Sequence, residues 1–146
     1  MGLISAPDQQ RLRDAFAEMT GSVRLVFFTQ TLGCETCAEA KQILDELPPL
    51  SDRITIEEVN FVLDAEKVQQ YGVDRVPSIA LVSHDDSGDH DSRIRFAGAP
   101  SGYEFSSLVH AVRLVGGRPS SLSEAQRQRL ASIERPVVLQ VFTTPT

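Results

Sequence analysis

The chain has 146 residues, 41% of them hydrophobic, which is enough for one proper core and little more. A net charge of −6, with no Lys/Arg stripe, argues against nucleic acid or an anionic membrane as the main partner. The opening MGLISAPDQQ lacks a basic leader, no apolar run could span a bilayer, and Ala6 breaks the myristoylation pattern, so a cytoplasmic protein is expected.

Leu12, Ala15, Phe16 and Met19 recur at helical spacing after Pro7-Asp8, which predicts an amphipathic helix ending at Gly21-Ser22. VRLVFFT (Val23–Thr29) is short, β-branched and aromatic, the pattern of a buried strand. A second helix is expected from about Cys34 to Leu47, with Ala40, Ile43, Leu44 and Leu47 on one face and Pro48-Pro49 as its stop. ITIEEVNF (Ile54–Phe61) reads as a strand with an irregularity near Glu57-Glu58. Asp64 caps a short helix to about Tyr71. SIALVS after Pro77 and RIRF (Arg93–Phe96) are two further strands, with the polar HDDSGDHD between them as a hairpin tip. Ser101 with Glu104 and Ser123 with Gln126 read as capping boxes for two last helices.

From Val23 the order is β-α-β-α-β-β-α, an α/β unit: a small mixed sheet flanked by helices, with an extra N-terminal helix. Residues 1–117 form this unit and 118–135 a linker helix. VVLQVFTTPT (Val137–Thr146) echoes VRLVFFTQT, with Phe142-Thr143 matching Phe28-Thr29, so residues 136–146 read as the first strand of a second, truncated unit. On that reading the chain is the first part of a longer protein.

The only two cysteines, Cys34 and Cys37, sit three residues apart at a strand-to-helix junction. Free N–H groups and the helix dipole there favour an anion, so a thiolate at Cys34 is stabilised and nucleophilic. One helical turn on, Cys37 can attack a mixed disulfide formed by Cys34. Glu35 opposes a very acidic Cys34, which favours a reducing poise. Three other readings stand beside this one. A structural disulfide would close almost no loop. A zinc half-site would need two more ligands, for which His84 and His90 are the candidates. The third is a pair of incidental core cysteines. Val76-Pro77 before a strand surrenders a ladder hydrogen bond, and a cis peptide there would present backbone groups beside the thiols.

Cys34-Glu35-Thr36-Cys37 after an apolar strand, Val76-Pro77 some forty residues later, and FAGAPSGYEFSSLV before the last helix of the unit together resemble the thioredoxin-like superfamily. Within it the chain is similar to the glutaredoxin-like protein disulfide oxidoreductases, which carry two thioredoxin-fold units in tandem. The resemblance implies that Cys34 is the attacking thiol and Cys37 the resolving one. It also implies that Pro77 is cis and, with Val76, Glu35 and Thr36, part of the substrate-binding surface. Thioredoxins bury an acid in the strand before the cysteines; that position here is Phe28, leaving Glu57 and Glu58 as candidate proton acceptors.

The function expected is thiol–disulfide oxidoreductase, without metal or tightly bound cofactor. Its partners would be protein disulfides and a thioredoxin-reductase-like donor or small thiol, in cell redox homeostasis. A non-catalytic thioredoxin-fold scaffold and an electron-delivery domain for a peroxidase system are the alternatives. Tyr103 is expected near the active-site end, and the remaining aromatics in the core.

Overall fold

Strand β1 (Ser22–Thr29) is apolar and buried at Val23 and from Leu25 to Phe28 because both of its faces are covered. The computed structural model describes residues 2–144 and places β1 inside a four-stranded sheet. Strand β2 (Ile54–Asn60) lies on one side of β1, and β3 (Ser78–Asp85) on the other, with β4 (Gly88–Ala97) beyond it. β1 and β2 are parallel, from Val23 opposite Ile54 to Thr29 opposite Asn60. β3 runs antiparallel to both β1 and β4. The helices are α1 (Ala6–Ala17), α2 (Cys37–Asp45), α3 (Ala65–Tyr71), α4 (Tyr103–Val115) and α5 (Glu124–Ala131), with a 3-10 turn at Pro48–Leu50. After α1, the order and the mixed sheet are those read from the sequence.

Alternation along β1 divides the core. Val23, Leu25 and Phe27 join Phe16 of α1, Ala40 and Leu44 of α2, and Leu108 and Val112 of α4 in one cluster. Val26 and Phe28 face the other way, against Val59, Ala80, Val82 and Tyr71 of α3. The helix that begins at Cys37 therefore rests on the Phe27 face.

Several local expectations are corrected. α2 begins at Cys37 rather than Cys34 and ends at Asp45, two residues short of Leu47, where a turn leads into the proline pair. The strand register runs unbroken through Glu57-Glu58, because each carboxylate meets a cation. Glu57 forms an ion pair with Arg24 at 3.1 Å and accepts from Lys67, and Glu58 accepts from Lys41 at 2.9 Å. The hairpin tip shrinks to Asp86-Ser87, because β4 is an edge strand whose polar residues can pair and still meet solvent. The Ser101–Glu104 box does not form: Gly102, at a φ of 59°, is the cap of α4, with no side-chain bond. The Asp64 cap does form, accepting from Lys67 N at 3.1 Å. So does the Ser123–Gln126 box, on a helix α5 that buries no residue.

Residues 136–143 lie outside the sheet, and Val137, Val138, Leu139, Val141 and Phe142 are exposed. The last two residues of the echo, 145 and 146, lie outside the described residues. Among the described residues, no helix is long and apolar enough to cross a membrane.

At the hairpin tip, Asp85 accepts from the hydroxyl of Ser87 at 2.6 Å and from its backbone N–H at 2.8 Å, with His90 beside it. These bonds, the hydroxyl first, hold its carboxyl down to about 2. A depressed carboxyl stabilises the fold above its ordinary titration range and stops doing so as pH falls through the lowered value. NMR titration of this side chain is expected to give a midpoint near 2; an ordinary carboxylate midpoint would refute the contact.

Candidate active site

The C-terminal end of β1 delivers the chain to one edge of the molecule, where Gln30–Thr36 turn into α2. The Thr29 carbonyl accepts from Phe61 N at 2.9 Å, and the Gln30 amide donates to the Leu32 carbonyl at 2.8 Å. Gly33, at a φ of 73°, supplies the left-handed turn that a side chain would resist. Cys34 follows in the loop, and Cys37 is the first residue of α2. The two are joined as a disulfide with 5.5 Å between their Cα atoms.

The sulfurs differ in access. Cys34 is half-buried, whereas Cys37 is only 5% exposed. An incoming thiol or disulfide therefore meets Cys34 first, and Cys37 is reached mainly through it. Thr36 is the cap residue of α2 yet makes no side-chain cap bond, so the N–H groups of the first turn remain available to an anion at Cys34. Glu35 and Thr36 are exposed between the cysteines.

The Val76–Pro77 peptide is cis, as expected. Pro77 is buried immediately before β3, and its carbonyl accepts from Gly98 N at 2.8 Å. Ser78 stands opposite Phe28, so this peptide is at the same sheet end as the cysteine loop, on the β3 side of β1. Val76 packs against the α3-side cluster. Tyr103, 81% exposed, opens α4, which follows the end of β4 on that same edge.

On the other side of β1, a groove of about 480 Å³ runs past the disulfide. It is lined by Gln30, Cys34, Cys37, Lys41, Glu58 and Asn60, among others. Lys41 is four residues after Cys37, hence on the same face of α2, and its ammonium lies 2.9 Å from Glu58 and 3.3 Å from Asp45. Glu58 first and Asp45 second raise the Lys41 pKa. Of the two acids read as proton acceptors, Glu58 borders the dithiol groove; Glu57 points to the opposite face, against Arg24 and Lys67. Phe28 is fully buried, edge-on to Tyr71 with ring centroids 5.8 Å apart, and supplies no acid. Sequence reasoning misses Lys41, Gln30 and Asn60; the spacing of Lys41 from Cys37 is the signal that could have found the first.

The zinc reading fails on placement. His84 and His90 are in the hairpin at the far end of the sheet, bonded to Asp89 at 2.7 Å and to Asp85 at 3.1 Å. Among the described residues, no group of three or more His, Cys, Asp and Glu could hold a metal ion.

Comparison with known proteins supports the architecture. No family model matches the chain. The alkyl hydroperoxide reductase AhpF of Staphylococcus epidermidis is 28% identical over 145 residues, 99% of this chain but 25% of that protein. The chain therefore spans about a quarter of the length of such curated relatives. The solved N-terminal domain of alkylhydroperoxide reductase AhpF from Enterococcus faecalis superposes with a TM-score of 0.77 at 30% identity, covering 87% of this chain and 59% of that one. A protein disulfide oxidoreductase from Aeropyrum pernix superposes with a TM-score of 0.75 at 25% identity, covering 88% and 54%.

Proposed function

This chain belongs to the thioredoxin-like superfamily, homologous to AhpF N-terminal domains and to protein disulfide oxidoreductases, and on that premise we propose that it exchanges protein disulfides through Cys34 and Cys37. The thiolate of Cys34 attacks a substrate disulfide, one substrate sulfur leaves as a thiolate, and a mixed disulfide remains. Cys37 then attacks Cys34, releases the second substrate sulfur and closes the internal disulfide. A thioredoxin-reductase-like donor or a small thiol reopens it. The observation that carries this reading is the disulfide itself, with an approachable Cys34 and a buried Cys37 at the start of α2. Glu35, Thr36, Val76 and Pro77 form the substrate-binding surface. In support, all four lie at the sheet end that holds the dithiol. The chemistry is sulfur exchange and needs no cofactor.

Residues 1–117 are the thioredoxin-fold unit, 118–135 a linker and 136–146 the opening strand of a second unit. The exposed apolar run Val137–Phe142, which lacks a core here, supports that division. We place the activity in the cytoplasm, in thiol redox homeostasis. Electron delivery to a peroxidase is the second reading, favoured by the alkyl hydroperoxide reductase relatives. A reductase-coupled peroxide assay separates it from general disulfide reduction.

Insulin-disulfide reduction with dithiothreitol tests the proposal. The chain should accelerate it, and Cys34→Ser should return the rate to that of dithiothreitol alone. Turnover that survives Cys34→Ser would rule out Cys34 as the attacking thiol, and no turnover in the wild-type chain would leave a scaffold.

A further inference from the structure

Resolution of the mixed disulfide requires Cys37 to lose its proton, yet its sulfur is buried at the foot of a groove. A buried thiol resists ionisation unless a base receives the proton. The strand beneath it cannot help, because β1 turns the uncharged Phe27 toward α2 and Phe28 away into the α3-side cluster. The neighbouring strand can. On β2, Glu58 stands opposite Phe27 and points toward α2, where Lys41 holds its carboxylate at 2.9 Å from the ammonium. The groove joins this pair directly to Cys37 and Cys34.

We infer that Glu58, positioned by Lys41, is the proton acceptor for Cys37, so that the acid of this exchange site comes from β2 rather than from the strand before the cysteines. The inference rests on the dithiol function proposed above. Glu58 takes the Cys37 proton through a groove water, and the Cys37 sulfur uses its electron pair to bond Cys34. The bond from Cys34 to the substrate sulfur breaks, and that sulfur leaves as a thiolate. Glu58 then returns its proton to solvent. The charged groups facing Glu58 are Lys41 and, behind it, Asp45, both from α2; β1 presents the uncharged Phe27. Half-exposed and paired with a cation, Glu58 can exchange protons with water while its position stays fixed.

The test uses the reduced full chain mixed with one equivalent of a symmetrical nitrothiobenzoate disulfide, followed by stopped-flow absorbance. Two equal bursts of nitrothiobenzoate are expected, the first from attack by Cys34 and the second from closure by Cys37. Glu58→Gln should leave the first burst unchanged and slow the second by about tenfold or more at neutral pH. The two proteins should converge in alkali, where the thiol ionises unaided. Glu58→Asp should recover much of the loss. A second burst that Glu58→Gln leaves unchanged, or slows equally at every pH, overturns the role assigned to Glu58. A wild-type chain with no second burst overturns the dithiol reading itself, and the role of Glu58 with it.

Discussion

Replacing Cys37 with Ser should convert the chain from a turnover catalyst into a trap. Cys34 is half-buried and stands before α2, so it can still attack a substrate disulfide. What is lost is the sulfur that sits across a 5.5 Å Cα separation and expels the substrate. Hydroxyl oxygen cannot replace it, because it neither ionises near neutral pH nor forms a stable bond to sulfur. Insulin reduction is expected to fall to the dithiothreitol background, while covalent adducts linked through Cys34 accumulate. Non-reducing gels and mass spectrometry would reveal them, and reductant would release them. The double substitution Cys34→Ser, Cys37→Ser should form none. If Cys37→Ser turned over freely and left no adduct, the two-step exchange would be wrong.

The second large effect lies in the core that carries the site. Phe27 is 1% exposed and stands between Glu58 on β2 and Ile79 on β3, with α2 packed over it. Phe27→Ala removes most of an aromatic ring from a place where the surrounding strands cannot collapse. Such truncations cost about 3–5 kcal/mol, a large share of the roughly 5–15 kcal/mol that stabilises a domain. The urea midpoint should fall steeply, with the denaturant slope conserved. Because Phe27 is the floor beneath α2, the loss should also loosen the cysteine helix and lower specific activity in the folded fraction. An unchanged midpoint would mean that this ring does not anchor the helix.

What can be read from the residues follows from how local each signal is. The buried strand at Val23–Thr29, the Asp64 cap and the Ser123–Gln126 box each depend on neighbours in sequence, and each appears as expected. The cysteine pair and Val76-Pro77 are legible for the same reason, and the structure adds that they share one end of the sheet. The misreadings arise where tertiary context decides. Gly102 displaces Ser101 as the cap of α4 by adopting a positive φ. Glu57 and Glu58 look like a flaw in a strand, but cations from both faces of the sheet accommodate them. His84 to His90 looks like a loop, yet most of it pairs as the end of an edge hairpin. Helical periodicity puts Cys34 inside α2; the turn at Gly33 instead keeps it in the loop, a more open position for a nucleophile. The Lys41–Glu58 bridge spans 17 residues, and no short-range pattern announces it.

Competitive alkylation of the fully reduced chain tests the central claim most directly. Iodoacetamide is applied over a pH series, and each cysteine is located and quantified by peptide mass spectrometry. The claim predicts that Cys34 is modified first, at pH values below the ordinary thiol range of about 8.5, while Cys37 is spared until the medium is strongly alkaline. Modification of Cys37 ahead of Cys34, or of both at the pace and pH of a free thiol, would contradict it.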